Sequence, residues 1–250
     1  MVRAAIRILL DDYDVKEFTR LAARFGSGRY GFVVTSNVDR LIRYREDMAF
    51  RAVYDEADYV LLDSRFLSRL LRMFRGIHLR VCPGADLMAS LFKSVVARDD
   101  TVILIGGSAI QAREMARRFS LGNLQHYNPQ RGFIHNADAV ENCLRFIEGH
   151  SPFRFCFIAV GSPQQELVAQ KLKSRARARG LALCIGASIN FLTGTERRVP
   201  RWMQTIGRQW HPSQVPSPGA VIEGSEGHGR DQRVPCVLFT NEWLGVAKLI

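Results

Sequence analysis

Five short apolar runs constrain this chain more than any other feature. Each closes on Gly, Asn, Asp or Ser, and each is followed by residues at helical spacing. They read "YGFVVTSN" (30–37), "DYVLLDS" (58–64), "TVILIGGS" (101–108), "FRFCFIAVGS" (153–162) and "LALCIGAS" (181–188). A strand wet on one face alternates apolar and polar residues; these runs do not alternate, so both of their faces are covered. Apolar strands separated by helices need crossover connections, which give a parallel sheet. The pattern predicts an α/β fold: a Rossmann-like parallel sheet with helices on both faces, followed by an irregular C-terminal tail. "IRILL" (6–10) is expected to add a strand, and "LQHY" (124–127) another.

In an open parallel sheet the ligand sits beyond the carboxyl ends of the strands, where loops lead into helix N-termini. The polar tips of the runs are therefore expected to share one rim: Thr35, Ser36 and Asn37; Asp63; Gly106, Gly107 and Ser108; Gly161, Gln164 and Gln165; Ser188 and Asn190. Helix caps and turns use the same residue types, and that reading stays open for each. "GGS" between a strand and a helix suits close approach of an anion to the backbone. It is neither GxGxxG nor GxxxxGK[ST], so neither a usual dinucleotide fold nor a P-loop kinase is supported. Asp63 ends a buried run, where a carboxylate is costly unless bonded, paired or used in chemistry. It reads equally as a general base or as the N-cap of "SRFLSRLLRMF".

The formal charge is +11, and residues 212–250 hold three basic against four acidic residues, so the excess lies in the body. A field of that sign favours a nucleotide diphosphate or an anionic membrane surface. Charge alone would point to nucleic acid, which is not expected as a partner. In "RFLSRLLRMFR" (65–75), Arg65, Arg69, Arg72 and Arg75 fall at helical spacing opposite Phe66, Leu67, Leu70, Leu71 and Phe74. Such a helix lies on a bilayer or packs its apolar stripe inward. No run approaches the roughly 20 apolar residues of a membrane span, and Arg7 with Asp11, Asp12 and Asp14 argues against a signal peptide. Five scattered cysteines without a CxxC pair read as buried thiols in a reducing cytoplasm. "DDYD" and "DEAD" read as loop and helix positions without a preceding strand and not as a metal site. Residues 1–210 are expected to form one domain. Residues 211–250, beginning "HPSQVPSPGAVIEGSEGHGRDQRVP", are expected to be disordered, except that the last fifteen residues have the makings of a short strand or helix.

The series "TSNVDRL", "ADYVLLD", "RVCPGADL", "VILIGGS", "GSPQQE", "IGASINFLTG" and "RRVPRWM" resembles, in order and spacing, the WecG/TagA/CpsF family of bacterial glycosyltransferases over roughly residues 3–210. The resemblance implies inverting transfer of a sugar from a UDP-sugar to an undecaprenyl-diphosphate-linked saccharide, without metal or other cofactor, in exopolysaccharide or capsule synthesis. It places the protein in the cytoplasm, peripheral to the inner face of the cell membrane, with self-association left open. It makes Asp63 the catalytic base and sets Thr35 and Asn37 beside sugar and acceptor. Gln165 matches the family's glutamine, with Gln164 where Lys is usual. Arg80, Gly84 and Asp86 are expected at the donor, with Asn190 and Arg198 completing the set. The match stops after Trp210, where members carry further arginines. The alternative is therefore a UDP-sugar-binding protein with impaired transfer.

Overall fold

The seven expected runs are strands, and the middle ones show why they carry no alternation: every residue of Val102–Ile105 and of Phe155–Ile158 is buried. The computed structural model describes residues 5–186, 188–189, 222–224 and 233–239. In chain order the elements are β1 (Ala5–Asp11), α1 (Val15–Phe25), β2 (Tyr30–Ser36), α2 (Val38–Glu46), α3 (Met48–Asp55), β3 (Tyr59–Leu62), α4 (Arg65–Arg75), α5 (Gly84–Ser94), β4 (Val102–Ile105), α6 (Ala109–Phe119), β5 (Leu124–Tyr127), α7 (Ala137–Gly149), β6 (Phe155–Ile158), α8 (Gln164–Arg175), β7 (Gly180–Cys184), β8 (Ile222–Gly224) and β9 (Arg233–Phe239). They form one sheet in the order β5-β4-β6-β7-β2-β3-β1-β9-β8. From β5 to β1 all neighbours are parallel.

Two apolar layers sandwich the sheet. On one face Phe18 and Ala22 of α1, Leu87, Met88 and Leu91 of α5 and Met115 of α6 pack against alternate strand residues. On the other are Leu41 of α2, Phe50 and Val53 of α3, Leu67 and Leu71 of α4, Leu144 of α7 and Val168 and Leu172 of α8. Fully burying one such side chain contributes about 1.5–3 kcal/mol. Asp14 with Glu17, and Ser108 with Gln111, form capping boxes for α1 and α6, so these two helices begin just past their strands.

Two expectations change. Asp11, the first residue of "DDYD", ends β1, so a strand does precede that segment; Asp11 Oδ2 accepts from Val60 N–H at 2.7 Å. Most of 211–250 lies outside the described residues, but 222–224 and 233–239 are strands, and the second takes in 236–239, the start of the stretch expected to form a short strand or helix. β9 runs antiparallel along β1, from Ala5 opposite Phe239 to Asp11 opposite Arg233. Arg233 Nε donates to Asp11 Oδ1 at 3.1 Å.

Candidate active site at the carboxyl ends of the strands

Thr35 and Leu61 are opposite each other in β2 and β3, so Asp63, just past the end of β3, emerges near the end of β2. Its backbone N–H donates to Ser36 O at 2.7 Å. Gly84, at the start of α5, donates its N–H to Asp63 Oδ1 at 3.2 Å. A carbon added where Gly84 lacks a side chain would lie 3.2 Å from Ser188 Oγ, 3.7 Å from Asp63 Oδ2 and 3.8 Å from Thr35 Cγ2. Four segments far apart in the chain thus meet around one point. The capping alternative for Asp63 is overturned: Ser64 is the N-cap of α4, its Oγ accepting from Leu67 N–H at 3.1 Å.

Behind this point lies a buried polar layer. Gln165 and Glu166, in the first turn of α8, have no exposed surface. Gln165 Oε1 accepts from Gly186 N–H at 2.8 Å, and its Nε2 donates to Glu166 Oε1 at 2.9 Å. Arg40 Nε of α2 stands 3.5 Å from the same Glu166 oxygen. Burial alone would lower the Arg40 pKa, but the neighbouring Tyr54, Glu166 and Asp63 outweigh it and the net shift is upward, so the guanidinium stays charged. Tyr54 O–H donates to Thr35 O at 3.1 Å; burial first, then Glu166, raises its pKa and keeps it a donor.

The glycine turn stands between β4 and α6. Gly106 and Gly107 have φ of +89° and +73°, which L side chains rarely adopt. A side-chain carbon on Gly106 would also sit 2.8 Å from Ala159 O, so the position admits only glycine. His126 Nε2 lies 3.1 Å from Gly106 O and 3.3 Å from Gly107 O. A carbon on Gly107 would touch Ile189 Cδ1 at 3.1 Å, which ties this turn to the segment carrying Ser188. Ser108 N–H and Oγ are engaged with Gln111 of its own helix. Gly161 is left-handed at +84°, with half-buried Gln164 beside it.

Other candidates are engaged elsewhere. Asn37 Oδ1 caps α2, accepting from Arg40 N–H at 3.1 Å. Arg80 is bound at the end of β1: Nη2 donates to Asp12 O at 2.6 Å, Nη1 pairs with Glu17, and its pKa is raised, since Asp12 and Glu17 outweigh burial, which would lower it. Asp86 pairs with Arg65 at 3.3 Å. Asn190 and Arg198 lie outside the described residues. Sequence reasoning passed over Arg40, Tyr54 and Glu166. The available signal was that Arg40 and Glu166 each stand third in the helix that follows a buried strand, inside the quoted "TSNVDRL" and "GSPQQE".

A model of the Glycosyl transferase WecG/TagA/CpsF family matches residues 4–219. The chain belongs to that family. The glycosyltransferase is thus a transferase acting on a sugar donor and an acceptor. Among its described residues no helix is long and apolar enough to cross a membrane, and no three His, Cys, Asp or Glu side chains stand together to hold a metal ion.

Proposed function

We propose that this glycosyltransferase is inverting and moves a sugar from a UDP-sugar to an undecaprenyl-diphosphate-linked saccharide, in exopolysaccharide or capsule synthesis at the inner face of the membrane. The observation that carries the reading is the meeting of Asp63, Thr35 and Ser188 around the space that a side-chain carbon on Gly84 would fill. The acceptor hydroxyl attacks the anomeric carbon while its proton passes to the Asp63 carboxylate. The bond from that carbon to the diphosphate oxygen breaks on the opposite face, and UDP leaves with the electron pair. Attack opposite the leaving group inverts the anomeric configuration. A base so placed accelerates transfer by about 10²–10⁴-fold.

The same reading gives the donor diphosphate to the glycine turn at Gly106 and Gly107 and to the basic body of the chain. Exposed Arg65, Arg69 and Arg72 on α4 suit an anionic bilayer, while Leu67, Leu70 and Leu71 of that helix are buried. The test is a panel of UDP-sugars with a synthetic prenyl-diphosphate sugar, with and without EDTA. Transfer with inversion, unchanged by EDTA, is the expected result. Binding of UDP-sugars without product would favour the impaired binding protein instead.

A further inference from the structure

Glu166 has no exposed surface, yet its carboxylate is only half engaged. Oε1 takes Gln165 Nε2 and faces Arg40 Nε, while Oε2 has no hydrogen-bond partner among the described residues. Arg40 Nε, Ser36 Oγ and Ser162 Oγ share that state. All four atoms belong to the end of β2, the loop after β6, or the first turn of the helix that follows. Native proteins leave few buried polar atoms in this condition, because each costs its full desolvation. Here the four stand in the two strand-to-helix connections that carry Arg40 and Glu166.

What the ion pair holds is Gln165. A carboxamide can turn over and exchange its oxygen and nitrogen with little change of shape. Glu166 Oε1 accepts only from a donor, so it fixes Nε2 on its own side and Oε1 towards Gly186 N–H. Arg40 holds that carboxylate in turn, and its side chain is only 14 % exposed. Two residues beyond Gly186, Ser188 brings its Oγ to the point shared with Asp63 and Thr35. With the amide reversed, two N–H groups would face each other and the turn at 186 would lose its anchor.

We propose that the buried Arg40–Glu166 ion pair is a positioning device for sugar transfer: it sets the Gln165 carboxamide, which anchors Gly186 and so holds Ser188 beside Asp63. The proposal rests on the Asp63-centred reading above. Arg40, Gln165 and Glu166 act through the turn without touching the substrate.

The experiment compares unmutated chain, Glu166→Gln, Gln165→Met and Ser188→Ala in steady-state transfer, with UDP binding measured by calorimetry. Gln165→Met leaves the ion pair intact and covers the case in which Glu166→Gln does not fold. Glu166→Gln and Gln165→Met are expected to lower kcat about 10²-fold, the scale on which a displacement of about 1 Å acts, with KM for the donor nearly unchanged. Ser188→Ala should lower kcat too, and adding it to Gln165→Met should cost less than the product of the single effects. Full kcat in Gln165→Met, a loss confined to KM, or strictly multiplicative effects would each overturn the proposal alone. Absence of transfer by the unmutated chain would overturn the transferase reading, and the proposal with it.

Discussion

Gly84 N–H donates to Asp63 Oδ1 at 3.2 Å, which joins the first turn of α5 to the residue that follows β3. The bond leaves Oδ2 on the side of Ser188 and Thr35, where a side chain on Gly84 would intrude. Alanine in a helix is ordinarily favoured over glycine by about 0.5–1 kcal/mol. Gly84→Ala is therefore expected to change the unfolding free energy by less than about 1 kcal/mol while cutting kcat at least tenfold. Denaturant titration beside a transfer assay checks both; unchanged kcat would show that the space is not used.

Ser64, and not Asp63, caps α4. Ser64→Ala is expected to cost about 1 kcal/mol, as the loss of an N-cap does. Asp63→Asn should alter stability far less. Thermal or urea unfolding of the two variants distinguishes them, and the reverse order would return Asp63 to a capping role.

The exposed arginines of α4 are expected to hold the protein on anionic vesicles. Each basic residue near such a surface contributes about 1 kcal/mol, so Arg69→Gln with Arg72→Gln should weaken binding roughly twentyfold or more. Cosedimentation with phosphatidylserine vesicles at rising salt reads this. Salt-insensitive binding would point to apolar insertion instead.

Burial pushes the Cys143 thiol up to about 12 from its ordinary 9.0. The unfolded thiol ionises first as pH rises, so above pH 9.0 the unfolded state binds fewer protons and stability falls. This contribution is complete below pH 9.0 and is lost between 9.0 and about 12. One such thiol accounts for about 1.4 kcal/mol between pH 8 and 10. Urea unfolding at those two pH values should show a smaller drop in Cys143→Ala than in the unmutated chain.

Much of this architecture was legible because burial on both faces leaves a direct mark, the unbroken apolar run. Strand ends then pointed to Thr35 and Asp63 with no further information. What was not legible depended on partners distant in the chain. Arg80 looked available until Asp12 and Glu17 closed on it. "QQE" at a helix start read as polar groups on an open rim, yet Gln165 and Glu166 are wholly buried because Arg40 and Gly186 supply their partners. Asp63 and Ser64 are adjacent, and either can cap a helix; only the position of Leu67 N–H decides between them. The Pro/Gly-rich tail carried no periodicity, so β9 against β1 was not foreseen.

The most direct test of the central reading is the single-turnover rate of sugar transfer by Asp63→Asn at saturating donor and acceptor, beside calorimetric UDP binding. The expected result is a rate lower by about 10²–10⁴-fold with UDP affinity retained. A rate equal to that of the unmutated chain, with the variant folded and binding UDP, would contradict Asp63 as the base.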